Sequence, residues 1–297
     1  MSVENSVSSL SENKNKLIIK HAGSLGGAFG EINNEFKRLN PGVDIVSGGG
    51  GSATLVRDTV QGAPCGILAS ADYNLIPMMM VPEHADWYLI FASSRMVLRY
   101  TEQSKYSEEI NAHNWFDIIQ RDAVTIWHSD PNEDPGGYRT LMVLQLAESY
   151  YKVPGLYKKL MTPEHDRIIS RSNFQESASG YSFGYGLRGG PGNSKTMELP
   201  DEINLSRQEM ADLYKKAEVR LSGTHPEKLL VLHGEPVLFG LTIPNICLHK
   251  DLAFTWVELL LSETGSNLLQ KSGLVPIKPV FAGDVKRIPQ SLRSRVQ

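Results

Sequence analysis

The N-terminal part of the chain repeats one pattern of apolar and polar positions. A short apolar run is followed by a turn rich in glycine or serine, and then by apolar residues at helical spacing. The repeats begin at Leu17, Val43 and Gly66. Each repeat predicts a strand followed by a helix, and the series predicts an α/β fold with a parallel sheet that binds ligands at its carboxyl edge.

The second repeat makes the most detailed local prediction. Its apolar run predicts a strand over 43–46, and the glycines of 48–51 predict a turn. Ser52 is then expected to cap the following helix, because serine is a preferred N-cap residue.

The rest of the chain predicts two crossings between domains. The run from Trp87 to Tyr100 predicts one long strand into a second domain, and the run 228–244 predicts two strands around a Gly-Glu-Pro turn, the second of which returns the chain. Two crossings predict two lobes and a cleft. The predicted divisions are a disordered polar segment, lobe I and lobe II, namely 1–16, 17–97 plus 237–297, and 98–236.

Three further elements follow from periodicity. Apolar residues from Tyr138 to Tyr151 predict an amphipathic helix, and Leu252 to Ser272 predicts another, followed by a tail broken by prolines. Between 170 and 195 polar residues dominate, but alternating Tyr181, Phe183 and Tyr185 predict a short strand there.

Composition indicates an ordinary globular protein. The chain has 297 residues, of which 41% are hydrophobic, and a formal net charge of −3. No basic run of the kind that binds nucleic acid is present, and no apolar run is long enough to span a membrane. Cys65 and Cys247 lack the spacing of a zinc site; two buried thiols are expected, and a single disulfide stays open.

The segment Met1 to Lys16 is polar and lacks the apolar core and cleavage site of a secretory signal. Two interpretations stay open. The chain is either a mature or engineered form with an added Met, or a cytosolic protein.

Ser24 and Ser52 occupy equivalent places after the first two predicted strands. A hydroxyl beside the amides of a helix N-terminus is a neutral donor pocket for an oxyanion. The alternative is a pair of ordinary helix caps.

The segment Asp130 to Arg139 carries three acids among turn formers, directly before a predicted helix. The N-terminus of that predicted helix favours an anion, so the acids beside it need an explanation. One interpretation is that Asp134 is an N-cap followed by Pro135 at the first helical position.

Motifs for catalysis are missing. The eight histidines lack metal-ligand spacing, and no nucleophile elbow or phosphate-binding loop is present. Asp134 and Glu176 would suit a glycosidase, but no tryptophan lies close in sequence to either acid. Hydrolase and metalloprotease interpretations therefore have no motif to support them.

Several segments, in the same order, resemble the archaeal-type tungstate/molybdate-binding proteins. They extend over most of the chain from about residue 17 to 280. The matching segments are 21–25, 51–52, 69–77, 85–88, 130–139, 199–205 and 240–244.

The resemblance implies a two-lobed type 2 periplasmic-binding-protein fold. Such a protein closes on one oxyanion and delivers it to the permease of an ABC transporter. The resemblance further implies an extracytoplasmic, membrane-associated location, a monomer, and no cofactor besides the tungstate or molybdate ligand. The residues expected around the anion are Gly23, Ser24, Ser52, Asp134, Pro135, Gly136 and Tyr185, with Asp134 reaching the tungsten or molybdenum atom.

A second acid of the family has its nearest counterpart in Glu176, shortly after Arg171-Ser172. An acidic side chain in an anion-binding site is compatible only with certain anions. A carboxylate about 4 Å from a dianion repels it by roughly 8 kcal/mol at an effective dielectric of about 20. Tungsten and molybdenum accept carboxylate oxygens as added ligands whereas sulfur does not, so an acid would exclude sulfate.

The chain departs from the family at Cys65-Gly66, at Gly136-Gly137 and at 184–187, where the family has a Glu before the matching Tyr. These departures leave open a divergent paralogue that binds another oxyanion, such as sulfate, or no longer serves transport. A carboxylate-dependent enzyme on the same fold is a more distant alternative.

Overall fold

The computed structural model describes residues 15–169, 176–187, 194–222 and 229–294. The chain divides into two compact units. The first runs to Ala92 and resumes at Leu238, and the second runs from Ser93 to Val237. Of the polar segment predicted over 1–16, residues 1–14 lie outside the described residues, and Lys16 opens the first strand.

The strands of the described residues are short, as is usual in α/β proteins. They are β1 (Lys16–Ala22), β2 (Asp44–Gly50), β3 (Ile67–Ser70), β4 (Trp87–Ser93), β5 (Met96–Tyr100), β6 (Ile126–His128), β7 (Asp166–Ile168), β8 (Tyr181–Tyr185), β9 (Lys195–Glu198), β10 (Glu218–Ser222), β11 (Leu229–His233), β12 (Leu238–Thr242) and β13 (Val275–Gly283).

The helices lie between these strands, together with several short 3₁₀ turns. They are α1 (Gly26–Leu39), α2 (Ser52–Val60), α3 (Leu75–Met79), α4 (Trp115–Ile118), α5 (Pro135–Tyr151), α6 (Leu156–Leu160), α7 (Ala211–Tyr214), α8 (Lys250–Leu260), α9 (Glu263–Lys271) and α10 (Gln290–Arg293).

The first unit contains a six-stranded sheet in the order β13-β4-β12-β3-β1-β2. β1 pairs in parallel with β2 and with β3, and β12 runs antiparallel to β3. The parallel pairing predicted from the repeated strand-helix pattern is confirmed. It places the carboxyl ends of β1, β2 and β3 at one edge.

The core of the first unit is built on α1. Phe29 and Phe36 are buried on its apolar face. The Phe29 ring packs edge-on against Trp256 of α8, with ring centroids 4.9 Å apart. The indole Nε1 of Trp256 donates to the Asn33 Oδ1 at 2.8 Å, so the buried indole N–H has an acceptor inside the core.

The second unit contains a five-stranded sheet in the order β7-β6-β8-β5-β9. β6 runs parallel to β7 and β8, and β8 runs antiparallel to β5. Tyr181, Phe183 and Tyr185 are buried on alternate positions of β8, which confirms the short strand predicted there. A separate antiparallel pair, β10 with β11, packs beside α5 through Gln145, whose side chain bonds the backbone of Glu218 at 2.9 Å in both directions.

Two predicted elements are each divided in the structure. The strand predicted over 87–100 is β4 and β5, separated by Ser94-Arg95, because the two strands belong to different sheets. The helix predicted over 252–272 is α8 and α9. Ser262 caps α9 by accepting from the Gly265 N–H at 3.2 Å, so a new helix begins where apolar spacing alone predicted a continuous one.

Two segments that were predicted as a turn and as an irregular tail belong to strands. The glycines of 48–50 belong to β2 rather than to a turn, and glycine suits position 49 because a Cβ there would lie 3.1 Å from the His21 ring, a tight contact. The proline-broken tail is β13, an edge strand of its sheet, where missing backbone donors are tolerated.

We predict that Asn33→Ala destabilises the first unit by about 1 to 3 kcal/mol, because it leaves the buried Trp256 N–H without its acceptor. Asn34→Ala is the matched control, since Asn34 is the next residue of α1 and is exposed. Urea unfolding followed by Trp fluorescence measures both free energies. Equal effects of the two substitutions would contradict the role given to Asn33.

Candidate functional site

The carboxyl ends of three strands bring the first group of predicted site residues together. Ala22 at the end of β1 is in register with Gly50 of β2, and His21 is in register with Ala69 of β3. The turn Gly23–Leu25, the start of α2 and the residue after β3 therefore lie at one edge of the sheet. At this edge Gly23 is exposed and Ser52 is buried.

Ser24 lies in the 3₁₀ turn between β1 and α1. It is not the N-cap of α1, because Leu25 holds that position and no side chain caps the helix. The alternative interpretation of Ser24 as an ordinary helix cap is therefore wrong. The Ser24 Oγ is buried and has no hydrogen-bond partner among the described residues, which is an uncommon state for a buried hydroxyl.

Ser52 is the first residue of α2, and Gly51 is its N-cap, so this cap prediction was also wrong. The side chain is buried, and its Oγ accepts from the Ala71 N–H at 3.0 Å. That bond ties the start of α2 to the loop after β3. A hydroxyl that accepts in this way still carries its own hydrogen as a donor.

His21 lies beside these residues but does not supply positive charge. Burial lowers the pKa of its imidazole, although the bond from Nδ1 to the Ala22 carbonyl works in the other direction. Its ring packs edge-on against Phe29 at a centroid distance of 5.4 Å. The first group of site residues is therefore a set of neutral donors.

The second group lies at the N-terminus of α5. Asp134 is the N-cap, and Pro135 is the first helical residue, as the capping interpretation predicted. The Asp134 Oδ1 accepts from the Gly136 N–H at 2.7 Å and from the Ser129 Oγ at 3.0 Å. The half-buried carboxylate is thus held at the positive end of a 17-residue helix.

Gly137 fixes the loop that carries Asp134. A Cβ at Gly137 would lie 2.2 Å from the Ser129 carbonyl oxygen and 2.8 Å from the Pro131 nitrogen. No other residue fits without moving the backbone. The loop after β6 therefore folds directly over the first turn of α5.

Tyr185 ends β8 and is brought to α5 by Arg139. Because β6 and β8 are parallel neighbours, the helix that follows β6 starts beside the end of β8. The Arg139 Nη1 donates to the Tyr185 hydroxyl at 3.0 Å, and its guanidinium carbon lies 5.8 Å from the ring centroid. Arg139 is 3% exposed.

Arg139 was missed by the sequence analysis as a site residue. The signal was present, because Arg139 falls at helical spacing with Met142 and Leu146, two buried residues of α5. A cation on an apolar face of a helix needs a buried partner.

Glu176 is placed away from this group. It is exposed in a 3₁₀ turn before the start of β8, whereas Tyr185 lies at the other end of that strand. Arg171 and Ser172, which suggested this match, lie outside the described residues. Sequence proximity between Glu176 and β8 does not bring the acid to Tyr185.

Cys65 and Cys247 are free and buried, and burial raises the pKa of the Cys65 thiol to about 11. Within the described ranges no group of three His, Cys, Asp or Glu side chains is arranged to hold a metal ion. No helix in the same ranges has the length and apolar character of a membrane span.

Comparison with known proteins assigns the chain to a family. A family model described as bacterial extracellular solute-binding protein matches residues 17–275. The chain belongs to this family. An uncharacterized solute-binding protein of Methanoculleus marisnigri is 35% identical over 312 residues, covering 95% of this chain and 87% of that protein.

Two further relatives carry names that refer to a ligand. A molybdate/tungstate-binding protein of Pyrococcus abyssi is 33% identical over 318 residues, covering 95% of this chain and 90% of that protein. The periplasmic molybdate-binding protein of Azotobacter vinelandii superposes with a TM-score of 0.58 at 16% identity, covering 87% of this chain and 98% of that one. The superposition shows the predicted two-lobed binding-protein fold.

The family also decides the class of activity. Its members are described as extracellular solute-binding proteins, a class that binds ligands and does not turn them over. The sequence prediction of binding without catalysis is confirmed on that ground.

A buried histidine next to the Asp134 loop yields a prediction with a defined pH dependence. The two ring nitrogens of His128 bond the Ser129 carbonyl and the Asp166 Oδ1, each at 2.7 Å. Burial by itself lowers the pKa of His128, but the bonds to Asp166 and Ser129 outweigh it and raise the pKa above its usual value.

Because the folded pKa is the higher one, this pair stabilises the protein fully below about pH 6.5, and the contribution is lost as pH rises through the folded pKa. We expect His128→Gln to lower the free energy of unfolding by roughly 1.5 to 3 kcal/mol in acid and by less in alkali. Exposed His113→Gln is the control. Chemical unfolding across the pH range measures both, and a pH-independent loss would contradict the charged pair.

Proposed function

We propose that this protein captures tungstate or molybdate and delivers it to the permease of an ABC transporter outside the cytoplasm. The observation that carries the proposal is the buried Ser24 hydroxyl without a partner at the edge where three strands end. A bound oxyanion would supply the missing acceptor. The named molybdate/tungstate-binding relative supports the choice of anion.

The first unit contributes neutral donors in this proposal. Ser24 and the backbone of Gly23 lie in one turn, and Ser52 begins α2 close by. The Ser52 hydroxyl accepts from the Ala71 N–H and donates its own hydrogen to the anion. Because these donors are uncharged, they bind an oxyanion without selecting it by the size of its charge.

The second unit contributes the acid and the helix N-terminus. Asp134 reaches the metal atom of the anion, and Pro135, Gly136 and Tyr185 complete the contact. Pro135 leaves the first turn of α5 short of one N–H, and Gly136 gives its N–H to Asp134, so this helix end favours the carboxylate rather than a bare anion. Glu176, which lies in the 3₁₀ turn before β8, is not included in this set.

A second candidate is a binder of an ordinary tetrahedral oxyanion such as sulfate. It is favoured by Gly184, which stands where the family has a Glu. A Cβ at Gly184 would lie 3.4 Å from the guanidinium carbon of Arg99, so this position has a cation beside it and no acid of its own. The missing acid would remove part of the discrimination against sulfate.

The charge on Asp134 separates the two candidates. Asp134→Asn keeps an N-cap, because Asn caps helices as well as Asp does, but removes the carboxylate. We expect tungstate and molybdate affinity to fall and sulfate affinity to hold or rise, because a metal-oxygen bond and a repulsion are lost together. Calorimetric titration with tungstate, molybdate, sulfate and phosphate measures the change.

Glu133→Gln is the control for that experiment, since Glu133 is an exposed acid one residue away. Preferential binding of tungstate and molybdate by the native protein supports the proposal. Tighter binding of sulfate or phosphate would transfer the assignment to the second candidate. Equal losses for all anions in a folded Asp134→Asn protein would remove Asp134 as a selectivity residue.

The substitution Ser24→Ala is expected to affect thermal stability and tungstate affinity differently. Without anion, the substitution removes a buried hydroxyl that lacks a partner, so thermal stability should hold or increase. Tungstate affinity should fall by about 1 to 3 kcal/mol, because a donor to a charged group is lost.

Ser47→Ala, at an exposed position of β2, is the matched control. Unchanged affinity for Ser24→Ala would return Ser24 to a structural role. Ser52→Ala is a poorer test, because it also leaves the Ala71 N–H without its acceptor.

A further inference from the structure

Arg139 is a buried cation that bonds a predicted ligand residue. Its side chain is 3% exposed, and its Nη1 donates to the Tyr185 hydroxyl at 3.0 Å. Burying a guanidinium is costly unless its donors are used. The residue was not among those expected to contact the anion.

The direction of this hydrogen bond decides what Tyr185 can do. A guanidinium has donors and no acceptor, so the Tyr185 oxygen must accept from Arg139. The hydrogen of the phenol is therefore directed elsewhere. We infer that Arg139 is a positioning residue that turns Tyr185 into a hydrogen-bond donor toward the bound oxyanion. This inference rests on the proposed function.

A second arginine holds the backbone of the same residue. The Arg99 Nη2 donates to the Tyr185 carbonyl at 2.5 Å, from the antiparallel neighbour β5. Gly184 and Gly186 leave room for the side chains of Arg99 and Arg95, whose atoms would lie 3.3 to 3.4 Å from a Cβ at either glycine. Tyr185 is thus fixed at its carbonyl and at its hydroxyl by different arginines.

The charge of Arg139 also bears on the acid of the site. Arg139 follows Asp134 by five residues, about 7.5 Å along the axis of α5 at 1.5 Å per residue. A cation near the start of the same helix would offset part of the repulsion between the Asp134 carboxylate and a dianion.

A double-mutant cycle tests the inference. Tyr185→Phe should weaken binding of sodium tungstate by about 10- to 100-fold, the range for a hydrogen bond to a charged group. Arg139→Met should weaken it at least as much. The double variant should bind only about as weakly as Arg139→Met, because the hydroxyl no longer acts once its orienting cation is gone. Arg139→Lys keeps the charge and a donor and should restore part of the affinity.

The second unit offers a matched control pair. The Arg121 guanidinium lies 4.6 Å above the Tyr106 ring, and Arg121 also pairs with Glu109 at 2.7 Å. Arg121→Met and Tyr106→Phe remove a similar arginine-tyrosine contact elsewhere in the same unit. Neither substitution should change tungstate affinity.

The outcomes separate this inference from the proposed function. If the native protein binds no tungstate, both fail. If it binds tungstate and the effects of Arg139→Met and Tyr185→Phe add, the two residues act independently and the positioning role is wrong. Unchanged affinity in Tyr185→Phe also overturns it. Thermal unfolding without anion identifies a misfolded Arg139→Met, in which case Arg139→Lys combined with Tyr185→Phe decides by the same criterion.

Discussion

Parallel pairing of neighbouring strands is the constraint on which both units depend. Parallel strands end at the same edge, so the loops and helices that follow them meet there. In the first unit this brings together the residues after β1, β2 and β3. In the second it starts α5 next to the end of β8, which places Arg139 against Tyr185. Site residues far apart in sequence become neighbours through strand direction alone.

The two groups of residues differ in their electrostatics for a physical reason. Hydroxyls and a neutral imidazole occupy the edge of the first unit, where burial disfavours a charged His21. In the second unit the charges are balanced by geometry, since Asp134 lies at a positive helix end and Arg139 is paired inside the unit. The first group therefore offers uncharged donors, and the second offers an acid that is itself held by donors.

Glycine occupies the points where these arrangements are tightest. Gly137 allows the Ser129 carbonyl to touch the first turn of α5, and Gly49 leaves room for the His21 ring. Gly137 follows the proposed contact Gly136, and a Cβ at Gly49 would lie 3.5 Å from the Cα of the proposed contact Gly23. The backbone at each group is therefore fixed by close packing before any ligand binds.

The sequence by itself determined the class of fold, the first three strand-helix repeats, the alternating strand at Tyr181 to Tyr185 and the capping geometry of Asp134 and Pro135. These depend on local spacing and on short-range backbone chemistry, which a sequence displays directly. The ordered matches to one family also indicated a binding protein, which the family comparison confirmed.

Only the tertiary structure decided which polar groups have partners. Ser24 and Ser52 look equivalent in sequence, yet one hydroxyl is buried without a partner and the other accepts from Ala71, 19 residues away. The division of 252–272 at Ser262 and the contact between Arg139 and Tyr185 were likewise invisible. Hydrogen bonds between residues distant in sequence depend on strand order and register, and apolar periodicity carries no information about either.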